Sequence, residues 1–144
     1  MNAHEHIKST TLVTDVYGCW PRFHDAEVIR IVLDRGTADG GPSLAMDIKT
    51  FEMTSEVDAK GHFVLRNEKV VSLRFLSVTE LELCDFNRQN VLLELEISRI
   101  SGDGGDSRFE VSLNASYGVA GSFRCREIKV EEICDCSDGE SAQS

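Results

Sequence analysis

The residues best suited to chemistry lie in one run, Gly18-Cys19-Trp20-Pro21-Arg22-Phe23-His24-Asp25-Ala26-Glu27. His24, Asp25 and Glu27 set an imidazole among two carboxylates, a combination that can ligate a divalent ion or divide acid and base roles, since the groups titrate at different pH. No nucleophile or second ligand cluster accompanies them. The same run also has a structural reading, and it is the one adopted here. Pro21 fixes a turn, Trp20 and Phe23 cover one end of a sheet, and His24 and Asp25 hydrogen-bond exposed backbone ahead of a strand.

A second loaded stretch, Cys84-Asp85-Phe86-Asn87-Arg88-Gln89-Asn90, is rich in side-chain amides. Asn87, Gln89 and Asn90 could hold a ligand, but asparagine in such a loop more commonly mimics a turn or tolerates positive φ. Cys134-Asp135-Cys136 could be half of a metal site, yet no second pair with metal-like spacing exists to complete it. The five cysteines are an odd number in a chain large enough to need no staple, so they are read as reduced thiols. The Gly102-Asp103-Gly104-Gly105-Asp106 run lacks the ligand spacing of an EF-hand and does not join a strand to a helix as a P-loop does, which leaves a mobile hairpin loop.

The elements that must position these residues are strands. Apolar side chains alternate with polar ones at Ile29/Ile31/Leu33, Leu44/Met46/Ile48, Val71/Leu73/Phe75, Leu81/Leu83, Val91/Leu93/Leu95/Ile97 and Phe109/Val111/Leu113. In the last strand Phe123 and Cys125 are odd-numbered, whereas Ile128 and Val130 are even-numbered. A β-bulge near Arg126 and Glu127 would keep both sets inside and bend the strand around the core. Short connections without helical crossovers imply an antiparallel meander curled into a sandwich or a partly open barrel, with at most short helical turns. Thr10 to Val16 and Phe51 to Lys60 are too irregular to assign. Residues 1–136 are expected to form a single β domain, and 137–144 a disordered acidic tail.

Pairing these strands on paper brings acids together. A hairpin centred near Arg88 would set Glu80 and Glu82 opposite Glu96 and Glu94, and the next hairpin would set Glu96 opposite Glu110, with Ile97 opposite Phe109. Directly opposed like charges are destabilising, so five glutamates on one face suggest a surface for a basic partner, the alternative being a solvated face crossed by Arg74, Arg99 or Lys129. The net charge of −10 and the lack of clustered Lys and Arg disfavour nucleic acid. No run approaches the roughly 20 apolar residues that span a bilayer, and residues 1–6 do not resemble a signal peptide, so a cytoplasmic protein that touches no membrane is expected. No cofactor is implied, and the oligomeric state stays open because edge strands can pair.

Three strings together resemble the immunity protein fifty family, small bacterial proteins that accompany polymorphic toxins: Trp20-Pro21-Arg22-Phe23-His24-Asp25-Ala26-Glu27-Val28, Leu83-Cys84-Asp85-Phe86-Asn87-Arg88-Gln89-Asn90, and Tyr117-Gly118 ahead of Phe123-Arg124-Cys125. The resemblance implies a mostly β, non-enzymatic antitoxin that binds and neutralises a cognate toxin domain inside the producing cell. It assigns no toxin-contacting residue. Trp20, Pro21, Phe23, His24, Asp25, Glu27, Phe86, Asn87, Gln89, Asn90, Tyr117 and Gly118 are therefore read as structural, and Glu80, Glu82, Glu94, Glu96 and Glu110 as candidate toxin contacts. The runner-up reading is a small metal-binding or hydrolytic β domain built on His24, Asp25 and Glu27.

Overall fold

A computed structural model describes residues 6–36, 41–101 and 107–135. After one short helix, α1 (Thr11–Tyr17), come eight strands: β1 (Glu27–Asp34), β2 (Ser43–Val57), β3 (Phe63–Leu76), β4 (Thr79–Cys84), β5 (Val91–Ser101), β6 (Ser107–Tyr117), β7 (Ala120–Cys125) and β8 (Glu127–Asp135). They form one antiparallel sheet in the order β4-β7-β6-β5-β1-β2-β3-β8. Cys136 and the expected tail lie outside the described residues, as does the glycine-rich run 102–106.

The sheet is curled because its two ends are continuous with one another. Only Ser77 and Val78 separate β3 from β4, and only Arg126 separates β7 from β8. The pairing Leu76↔Glu127 at the end of β3 and β8 resumes as Thr79↔Arg124 between β4 and β7, and the Arg126 amide donates to the Leu76 carbonyl at 3.0 Å across the corner. One long ribbon therefore bends through the corner, as strands do where they pass from one packed layer to another. The phase change in the last strand is this corner: Arg126 is the extra residue, and Phe123, Cys125, Ile128 and Val130 are all buried. At the opposite junction β1 meets β5 at the single pair Glu27↔Val91, so the sheet splits there into two four-stranded halves.

The halves close on each other through their inward side chains. Leu44, Met46, Ile48, Leu73 and Phe75 come from one half, and Leu92, Leu95, Val111, Leu113 and Phe123 from the other. Phe75 meets Phe123 edge to face, with ring centroids 5.0 Å apart. Residues 6–26 seal the open side. Lys8 bridges to Lys129 on β8, Val13 of α1 is fully buried, and the Tyr17 hydroxyl donates to the Asn67 carbonyl at 2.6 Å. α1 stops at Gly18, whose left-handed φ of 80° lets its amide return to the Thr14 carbonyl. The stretch from Phe51 to Val57 continues β2, and its alternation is hidden by register shifts between Thr50 and Glu52 and between Met53 and Val57.

Two pairings expected from the sequence are corrected. β4 does not pair with β5, so Glu80 and Glu82 do not face Glu96 and Glu94. As one arm of the bent ribbon, β4 takes the continuation of β3's own partner, which is β7. Between β5 and β6 the register is displaced by two residues, with Ile97 opposite Val111, Glu96 opposite Ser112 and Ser98 opposite Glu110. An even displacement leaves the side chains from Glu94 onward on their expected faces, whereas a register shift at Leu92 turns Leu92 inward and Leu93 out.

Two features of the bent ribbon give measurable consequences. Gly121 passes so close to the Glu82 carbonyl that a Cβ there would collide with backbone. Gly121→Ala should lower stability by about 1–3 kcal/mol in denaturant unfolding, the usual cost of overpacking. Burial pushes the Cys125 thiol up from 9.0 to about 12, against a weaker downward pull from a backbone hydrogen bond at Glu127. Below pH 9 both the folded and unfolded thiols stay protonated; between 9 and 12 only the unfolded chain ionises, so Cys125 makes stability fall as pH rises through that window. Iodoacetamide at pH 8, followed by peptide mass mapping, should label exposed Cys19, Cys84 and Cys134 in the native protein and reach Cys125 only after unfolding.

Candidate functional site

The three sequence strings, dispersed along the chain, converge on the β1–β5 junction. Residues 22–26 run beside β5: the Leu95 amide donates to the Arg22 carbonyl at 3.2 Å, Asp25 donates to Leu92 at 2.8 Å, and Leu92 donates back to Ala26 at 2.8 Å. Holding this path puts Phe23 and Asp25 in the left-handed region, at φ 61° and 63°. Phe23 is buried, with half-buried Trp20 edge-on at 5.7 Å, so the aromatic pair covers the sheet end as its composition predicts. The His24 ring reaches the Leu93 carbonyl through Nδ1 at 2.9 Å, and its Nε2 lies 3.5 Å from an Asp25 carboxylate oxygen.

Asn90 ties the other two strings to this junction. Its carboxamide oxygen accepts from the Asn87 amide at 2.8 Å and the Val119 amide at 3.0 Å, while its NH2 donates to the Asn87 carbonyl at 2.8 Å. Its backbone carbonyl accepts from the Val28 amide at 2.8 Å. The side chain is buried with each end of the amide satisfied, as a buried polar group requires. Gly118, at φ 84°, lies against the Gln89 carbonyl and the Asn90 side chain, so closely that no Cβ would fit. The Asn87 side chain caps its own turn by accepting from the Arg88 amide at 2.8 Å.

This arrangement is poor in chemistry and rich in shape. Among the described residues no group of three His, Cys, Asp or Glu side chains is placed to hold a metal ion. His24 and Asp25 are exposed, and β1 carries Glu27 into the sheet opposite Lys49. The rim of the junction exposes apolar side chains that sequence reasoning grouped with the structural ones: Phe86 is 54% exposed and Tyr117 57%. Nothing in their spacing distinguished them from Phe23, because exposure follows from the turn Asn90 closes.

The five glutamates lie on the outer face of the β4-β7-β6-β5 half, in rows that differ from those expected. One row across the sheet reads Glu82, Ser122, Ser112, Glu96, and the next reads Thr79, Arg124, Glu110, Ser98. Glu82 and Glu96 are thus three strand spacings apart, about 14 Å. Arg124 stands between Glu80 at 3.7 Å and Glu110 at 3.6 Å; Arg22 approaches Glu94 at 3.6 Å; and Glu96 accepts from the Asn114 amide at 2.9 Å. Glu82 has no ion-pair partner among the described residues. Arg22 and Arg124, the cations that partly neutralise this face, were missed because only the observed pairing brings them there. Arg74 instead pairs with Glu131 at 2.6 Å, and Lys129 lies 3.9 Å from Glu131, on the other half.

A family model described as Immunity protein 50 matches residues 9–134, a span that includes all three converging strings. No curated protein and no solved structure matches the chain. No helix among the described residues is long and apolar enough to cross a membrane.

The Asn90 clamp can be tested alone. Asn90→Ala deletes one donated and two accepted hydrogen bonds and leaves the Val119 amide buried without its partner, which should cost about 2–4 kcal/mol of unfolding free energy.

Proposed function

The chain belongs to the immunity protein 50 family, and on that premise we propose that it is a non-catalytic antitoxin that neutralises a cognate toxin in the cytoplasm by binding it. Membership in an immunity family implies a toxin as partner. The observation that carries the choice of surface is the gathering of Glu80, Glu82, Glu94, Glu96 and Glu110 on one outer face, where Arg22 and Arg124 are the cations within 4 Å of them among the described residues and Arg108 stands beyond Glu110 on β6. A basic toxin suits such a face. Opposite charges steer encounter and raise association rates by roughly 10- to 1,000-fold at low salt. The flat Ser122 and Ser112 floor between Glu82 and Glu96 leaves room for a Lys or Arg side chain to lie between the two carboxylates. The metal-binding or hydrolytic alternative needs His24, Asp25 and Glu27 to converge, and among the described residues no three His, Cys, Asp or Glu side chains are placed to hold a metal ion.

Co-expression with the toxin gene encoded beside this one tests the reading: growth should be rescued and the two proteins should copurify, and failure of both would remove it. The surface is tested separately with Glu82→Gln, Glu94→Gln and Glu96→Gln combined. Because the Arg22–Glu94 ion pair is solvent-exposed and Gln at 96 can still accept from Asn114, the melting temperature should move little. Toxin association at low ionic strength should slow by about tenfold or more, and the difference should shrink as salt is added. Unchanged association at low salt would reduce this face to an ordinary solvated surface.

A further inference from the structure

We propose that β1 is a self-pairing edge, joining two copies of this chain through an antiparallel β1–β1 ladder about a twofold axis at Val32. β1 is paired to β2 along one side from Glu27 to Asp34, but on its other side the ladder has only the Glu27↔Val91 pair. Among the described residues, the backbone hydrogen bonds on that far side end with the Val28 amide on the Asn90 carbonyl. The strand beyond is exposed and apolar: Ile29 is 45% accessible, Val32 38% and Leu33 56%. An open ladder edge with such side chains is complementary to another extended strand.

The sequence of the edge selects a second copy as that strand. Centring the antiparallel register on Val32 places Arg30 opposite Asp34 of the second copy, Ile31 opposite its Leu33, and Val32 opposite its Val32. Twofold symmetry repeats each contact, so two Arg–Asp pairs flank an apolar centre, with Arg30, Val32 and Asp34 on the same face of each strand. Within one chain these charges are loosely held. Arg30 lies 3.8 Å from Asp47 with its side chain 69% exposed, and the Asp34 carboxylate accepts from the Gly36 amide at 2.8 Å.

The two outermost edges, β4 and β8, are less open to such pairing. On β4, self-pairing about Leu81 would set Glu80 against Glu82, and a register shift beside the left-handed Glu80, φ 55°, interrupts the strand. On β8 the first part of the edge is occupied by Lys8, whose amide donates to Ile128 and whose carbonyl accepts from Val130, both at 2.9 Å. The β1 ladder would join the two β1-β2-β3-β8 halves into one continuous sheet and leave both acidic faces uncovered.

The test needs no toxin. Sedimentation equilibrium of the full chain at physiological salt should show the 16.0 kDa species giving way to twice that mass as concentration rises. Asp34→Arg places two arginines together at each flank and should raise the dimer dissociation constant about tenfold or more, while Arg30→Asp combined with Asp34→Arg should restore it to within about threefold. Val32→Lys, which sets an ammonium against its own copy, should give a monomer with an unchanged circular dichroism spectrum. A wild-type chain that stays at 16.0 kDa up to about 1 mM, or a dimer indifferent to all three changes, overturns the proposal. So does a wild-type monomer whose toxin binding is weakened by Val32→Lys, which would give the edge to a strand of the toxin.

Discussion

The carboxamide of Asn90 is the constraint on which the rest of the junction depends. Through one side chain it closes the turn after β4 and fixes the β6–β7 turn at Val119, and through its carbonyl it receives the first residues of β1. These segments are separated by tens of residues in the chain, and each would otherwise end in buried, unpaired backbone groups, which cost far more than the modest net gain of a made bond. Because oxygen and NH2 are both engaged, neither aspartate nor leucine could replace Asn90 without orphaning a partner. Gly118 completes the same constraint from the opposite side, since the turn can approach Asn90 only where a Cβ is missing. The family strings thus coincide with the residues that hold one end of the sheet together.

The periodicity of the apolar residues made the strands legible, and their buried faces where no bulge interrupts them. In β1 and β5, where the register shifts after Val28 and after Leu92, Val28 and Leu92 are buried while Ile29, Leu33 and Leu93 of the expected apolar sets are exposed. The alternating sets from Leu44 to Ile48, Val71 to Phe75 and Phe109 to Leu113 are all buried, and even the break in phase after Cys125 corresponds to a physical corner. Neighbour relations were not legible. A six-residue loop between β4 and β5 looks like a hairpin on length alone, but Asn90 folds it back on itself, and β4 is claimed by the ribbon it shares with β3. Strand faces follow from local pattern where no bulge intervenes; strand partners follow from long-range pairing that the pattern does not encode.

That distinction changes the electrostatics of the acidic face. Opposed glutamates would have stored repulsion in the fold, to be relieved by a cationic partner. Spread over three strands of a four-stranded half, with Ser122 and Ser112 between Glu82 and Glu96 and with Arg124 bridging Glu80 and Glu110, the same residues produce a diffuse negative field and little internal strain. The face is therefore compatible with a stable free protein, and its charge acts at a distance before contact.

The bent ribbon has a consequence for how the molecule comes into being. It joins residues 63–84 to residues 120–135, so the pairing that closes the corner waits until residues about 50 positions further along the chain have been made. Before then β3 and β4 lack their partners and Phe75 lacks Phe123. Contacts this distant along the chain slow folding, and synthesis proceeds at only about 5–20 residues per second. The corner and the acidic face are therefore unfinished until β7 and β8 have been made, and a nascent chain that stops short of them presents neither in complete form.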